Sequence, residues 1–187
     1  MNEYWIDDLK KSAAVIKQAT PILKNMLNDQ NLTIKQVEGK DEEICQILDQ
    51  TCGMDYLIVC KDGQTFGVAW RCQWVEPGKE YNSFTVRKTR DSGTPTEYEK
   101  RAKAIQHDAL YPRYVVQAFV NQYTNEILSM AITTTKAQLE FIEKEDPPTR
   151  HTGKNQHGQA EFYVLWWVDM RLFGYDIVVY KAAEGIL

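Results

Sequence analysis

The 187-residue chain holds 43% hydrophobic and 26% charged residues and a formal charge of −4. This is the balance of one ordinary globular domain, which excludes a disordered, collagen-like or disulfide-framed chain. Its longest apolar runs, such as Val164-Leu165-Trp166-Trp167-Val168, fall far short of the roughly 20 residues that a membrane helix needs.

Residues 5–28 set Trp5, Leu9, Ala13, Ile16, Thr20, Leu23 and Leu27 at helical spacing, with Asp7 and Asp8 near the N-terminus. The spacing predicts a long amphipathic helix, bent or restarted at Pro21. Residues 32–37 alternate apolar and polar and read as a short strand. Asp41-Glu42-Glu43 then offers a cap and an acidic first turn for a second helix that carries Ile44, Ile47 and Leu48.

The middle of the chain changes period. Residues 55–60 read as a buried strand, Asp62-Gly63 as a hairpin turn, and 65–75 as the answering strand. After Pro77-Gly78, residues 81–88 read as a third, completing an antiparallel three-strand meander. Thr96 caps a helix from Glu97 to about His107. Strands are expected at 113–120 and 127–133, a helix at 135–144, and two more strands at 161–168 and 175–181.

Residues 145–160 show no periodicity and almost no apolar side chain, so they are expected to form a mobile polar loop, functional or disordered. The whole order is α+β, or mixed α/β: a central, mostly antiparallel sheet with a three-strand meander, flanked by helices, in a single domain. Cys45, Cys52, Cys60 and Cys72 form no CxxC pair, and three of them sit in apolar surroundings, as buried free thiols do. The opening residues lack a basic region followed by an apolar stretch, so no signal peptide is expected and a cytoplasmic location is.

Charge is unevenly placed. Residues 61–113 sum to +3 while the remainder sums to −7. Such asymmetry lets one face meet phosphate while the rest repels it. Arg71, Arg87, Lys88, Arg90, Lys100 and Arg101 are the nucleic-acid-binding candidates, with Tyr81 and Phe84 close by for base stacking. A solvated strand edge, where Lys and Arg discourage edge pairing, accounts for any one of them equally well.

Residues 41–90, from Asp41-Glu42-Glu43 through Gly53-Met54-Asp55 to Arg71-Cys72-Gln73 and Arg90, resemble the PD-(D/E)XK nuclease superfamily in its phage and mobile-element branches. The resemblance implies a restriction-endonuclease-like core. It implies Mg²⁺ held by Glu43 and Asp55, and a catalytic set of Asp55, Gln73 and Lys88. Where the superfamily has an acid and a lysine two positions apart on one strand face, this chain reads Arg71-Cys72-Gln73. Glu97 or Glu99 is the substitute carboxylate, with Lys88 or Lys100 as cation; the same residues also read as the acidic first turn of a capped helix.

The leading expectation is a DNA- or RNA-binding protein of phage or mobile-element type, in the host cytoplasm, that binds rather than cleaves. The alternative is an acidic inhibitor of a bacterial defence effector such as a CRISPR nuclease or a restriction enzyme. A third reading, an assembly component, would go with a homodimer.

Overall fold

The computed structural model describes residues 3–40, 42–152 and 159–187. Helix α1 (Glu3–Met26) is followed by β1 (Thr33–Gln36), a short α2 (Glu43–Gln46) and a π-helical turn at Ile47–Thr51. Then come β2 (Tyr56–Val59), β3 (Thr65–Val75), β4 (Ser83–Arg90), α3 (Glu97–Gln106), β5 (Tyr114–Asn121), β6 (Ile127–Thr134) and α4 (Thr135–Glu145). The chain closes with β7 (Thr149–His151), β8 (Ala160–Trp166), α5 (Trp167–Leu172), β9 (Ile177–Lys181) and β10 (Gly185–Ile186). It is an α+β arrangement with a mostly antiparallel sheet. Among the described residues no helix is long and apolar enough to cross a membrane.

Seven strands make the large sheet, in the order β1-β2-β3-β5-β6-β9-β10, and β4-β8-β7 make a second sheet. A three-strand meander exists, but its members are β1, β2 and β3. The expected third strand, 81–88, instead leaves this sheet as β4 and pairs with β8. The place beside β3 goes to β5, in parallel, with Arg71 opposite Gln117. A parallel neighbour needs a long crossover, and β4 with α3 supplies it. β5 is buried on both faces, as a central strand with a parallel neighbour should be.

Helix α1 continues through Pro21 without the restart that was one of the two expectations there. Pro21 and Lys17 both lie on the exposed face, so the carbonyl that proline leaves unbonded can meet water. The opposite face, with Val15, Ala19, Leu23 and Met26, packs against Val68, Val116, Val120 and Met130 of the sheet. The sheet's other face carries Ala69, Val115, Phe119 and Ala131 and is covered by Phe84 and Val86 of β4, Leu165 of β8, and Phe141 and Ile142 of α4. Two apolar layers therefore sandwich one sheet.

Three further expectations are corrected. Strand β8 stops at Trp166 and the chain turns helical at Trp167; Trp167 is buried against Phe84 and Phe119, while Trp166 stays exposed. Within the loop expected at 145–160, Thr149–His151 pair with β8; residues 153–158 lie outside the described residues. The four cysteines are free and only partly buried. Cys72 is the most enclosed: its Sγ accepts the Trp70 Nε1–H at 2.9 Å, and burial pushes its thiol up to about 12.

Candidate functional site

On the sheet face toward the second layer, Arg71 and Gln117 stand side by side on β3 and β5. They open a cavity of about 230 Å³, walled also by Asp55, Arg90, Glu97, Lys100 and Arg101.

Asp55 reaches the wall because Gly53, with φ +68°, turns the chain into β2. Its backbone N–H donates to the Val68 carbonyl, and its Oδ2 accepts the Trp70 N–H at 2.5 Å, prolonging the β2–β3 ladder by one side-chain bond. Burial raises its carboxyl to about 7; the Trp70 N–H and Arg101 oppose that rise, while Glu38 and Asp49 add to it.

Glu97 is placed by the first turn of α3. Thr96 Oγ1 accepts the Glu99 N–H at 3.2 Å and the Thr96 N–H donates to Glu99 Oε2 at 2.7 Å, a reciprocal capping box. One turn then carries Glu97 inward and Lys100 and Arg101 along the same wall. Arg71 Nη2 donates to Glu97 Oε1 at 2.6 Å, and the Arg87 N–H reaches Glu97 Oε2 at 3.4 Å. The Glu97 side chain, which lines the cavity, is 27% accessible. Burial alone would raise its carboxyl, but Arg71, Arg101 and Arg87 together hold it below the usual range.

The remaining donors are only partly engaged. Arg71 Nη1 bonds the Thr85 carbonyl at 3.1 Å and the Thr85 hydroxyl at 2.7 Å. Arg90 Nη1 reaches Thr94 Oγ1 at 3.0 Å, and Lys100 Nζ reaches the Gln50 carbonyl at 3.2 Å. Arg101, 9% exposed, has Gln138 Oε1 at 3.5 Å. Gln117 is 2% exposed and its Nε2 has no partner.

Of the residues singled out in the sequence, Asp55, Arg71, Arg90, Lys100 and Arg101 meet at this cavity, together with Glu97. Glu43 is exposed on α2, away from it. Lys88 pairs with Glu161 at 3.4 Å and lies 5.1 Å over the Tyr163 ring. Arg87 sits 5.1 Å over the Phe162 ring. Gln73 lines a neighbouring cavity instead. The β3 pair that shares a cavity with Asp55 is therefore Ala69 and Arg71, two residues earlier than Arg71 and Gln73. Sequence reading missed Gln117, whose signal was one amide inside the apolar run 115–120.

Two carboxylates face four cations here, one carboxylate held by a guanidinium and the other by a backbone N–H. This set does not fit the Mg²⁺ that the resemblance implies, since a hard dication needs several free oxygen ligands and little positive charge around it. Among the described residues no group of three or more His, Cys, Asp or Glu is placed to hold a metal. Comparison with protein families, curated proteins and solved structures finds no match to this chain.

Proposed function

We propose that the protein binds the phosphate backbone of a nucleic acid at this cavity, on a sheet with the outline of a nuclease core, and does not cleave it. One observation carries the reading. Among the described residues, the buried side-chain atoms without a partner are all nitrogens, Arg90 Nε and Gln117 Nε2 at the cavity and Arg87 Nε beside it included. Buried donors without acceptors are costly, and a phosphate offers acceptors only, with the charge that four surrounding cations favour. The carboxylates fit a supporting role: Glu97 holds Arg71 in place, and Asp55 completes the ladder.

A second reading, an inhibitor that binds a defence effector, draws on a different surface. Val168, Leu172 and Phe173 are 70%, 80% and 56% exposed around α5, and Leu187 lies close by. Contiguous exposed apolar surface of this kind marks protein contacts.

The test is binding of labelled DNA and RNA across a salt series, with Mg²⁺ or with EDTA. Affinity should fall steeply with salt, and the Arg90→Ala, Lys100→Ala double variant should reduce the slope by roughly 2. Salt-independent binding, or none, sinks the phosphate reading and leaves the protein-contact reading. Magnesium-dependent cleavage lost in Asp55→Ala would restore a nuclease.

A further inference from the structure

A second cavity, of about 490 Å³, adjoins the first and shares two of its walls, Arg71 and Thr85. We propose that it seats an unpaired nucleobase of the strand whose phosphate occupies the first cavity. The inference rests on the phosphate reading and adds to it a substrate class, single-stranded nucleic acid or a frayed end.

The lining differs in kind from that of the first cavity. Tyr81, Phe162 and Trp166 supply aromatic side chains, and Tyr81 and Trp166 stay 41% and 37% exposed. A ring kept partly open at a cavity mouth offers the stacking surface that unpaired bases use. The Arg71 guanidinium stands at the divide: it is tied to Thr85 on β4 and to Glu97, and its carbon lies 5.9 Å from the Phe162 ring centroid. One cation can thus face a phosphate on one side and a base plane on the other. Arg150 also lines this cavity and lies over the Tyr81 ring, 5.2 Å from its centroid, adding a guanidinium plane on which a base can stack.

Gln73 supplies the polar edge. Its amide makes no hydrogen bond to the described residues, and it projects into this cavity from the same β3 face as Arg71. An amide offers one acceptor and two donors, enough to pair with the Watson–Crick edge of a base. The volume is in the range of small-molecule sites and suits one nucleoside. A base paired inside a duplex cannot reach such a cavity without leaving its stack.

The experiment compares a dT oligomer, an abasic deoxyribose-phosphate oligomer of equal length and a duplex, by fluorescence anisotropy. Wild type is set beside Tyr81→Ala, Tyr81→Phe and Gln73→Ala. The dT oligomer should bind about tenfold tighter than the abasic one, the worth of one stacked base. Tyr81→Ala should erase that difference and leave abasic binding unchanged, while Tyr81→Phe retains it. Gln73→Ala should weaken dT binding alone. Equal affinity for dT and abasic strands, or a duplex bound as tightly as dT, overturns the base cavity while the phosphate reading stands. Failure of all three to bind overturns both.

Discussion

Arg71 on β3 and Glu97 on α3 are 26 residues apart in the chain and meet at 2.6 Å between Nη2 and Oε1. This contact joins the large sheet to the crossover helix and holds the guanidinium between two cavities. Arg101 and Arg87 also draw on the same carboxylate. Glu97→Gln therefore leaves three guanidinium groups under-compensated. A fully buried pair broken this way costs about 3–5 kcal/mol; partial solvent access here reduces that to about 1–3 kcal/mol. Anion affinity should rise in the same variant, because Arg71 is freed. Urea denaturation beside an oligonucleotide titration measures both, and unchanged stability would remove the structural role given to this pair.

Asp55 gives a pH dependence with a definite sign. Its carboxyl titrates at about 7 in the folded chain and at about 3.9 in an unfolded one. Between those values the native state holds a proton that the unfolded state does not, so stability falls as pH rises from about 4 to about 7 and levels off above. Glu38 and Asp49 are shifted the same way, chiefly by burial, and add to this slope. Glu97, held low, contributes in the opposite sense: its stabilisation is present above the unfolded carboxyl value and lost as pH falls through the folded one. Across pH 5 to 8, where Glu97 stays ionised, wild type should lose about 1–3 kcal/mol, and Asp55→Asn should show a shallower loss. Anion affinity should also increase below pH 7, as the cavity loses a negative charge, and this increase should vanish in Asp55→Asn. Parallel pH profiles for the two proteins would refute the assignment.

Thr96 starts the helix that delivers Glu97, Lys100 and Arg101. Thr96→Ala removes the cap acceptor and should cost about 1 kcal/mol, while Thr96→Ser should be close to neutral. Oligonucleotide affinity should drop with the alanine variant, since the first five residues of α3 carry three cavity residues. Thermal melts and anisotropy on the two variants check this, and an alanine variant that melts and binds like wild type would show that α3 is positioned by packing alone.

Gly67 is the residue of β3 that lets the chain before Asp55 pack close. A Cβ added there would stand 2.7 Å from Cε and 2.8 Å from Cγ of Met54, a side chain only 3% exposed. Gly67→Ala should destabilise by about 1–3 kcal/mol through overpacking. Combined with Met54→Ala the loss should be smaller than the two single losses added, because the new methyl fills part of the space left. Simple additivity by chemical denaturation would count against the contact.

The Cys72 thiol, raised to about 12 by burial and touching the Trp70 indole, is the least nucleophilic of the four. Under native conditions it should be the last to react with an alkylating reagent, as mass spectrometry of timed digests would show. Early modification of Cys72 would indicate that the β3 face under α1 opens readily.

What the amino-acid sequence determined by itself was local. The strands expected at 65–75 and 127–133, the Asp62-Gly63 turn, and the Thr96 cap with the helix that follows it were legible, because each depends on neighbours a few residues apart. The charge excess of 61–113 was legible too, and four of the six basic residues it singled out do line one cavity. Tertiary structure alone decided that β5, not β4, lies beside β3, because no short-range signal specifies a strand's partner across a long crossover. That choice set Gln117 next to Arg71, brought Glu97 to the same cavity, and left Gln73 in the second cavity only, with Arg71 lining both. Residues on one strand face share a direction by local geometry, but what they face is supplied by chain dozens of residues away, where packing energy and not periodicity makes the choice.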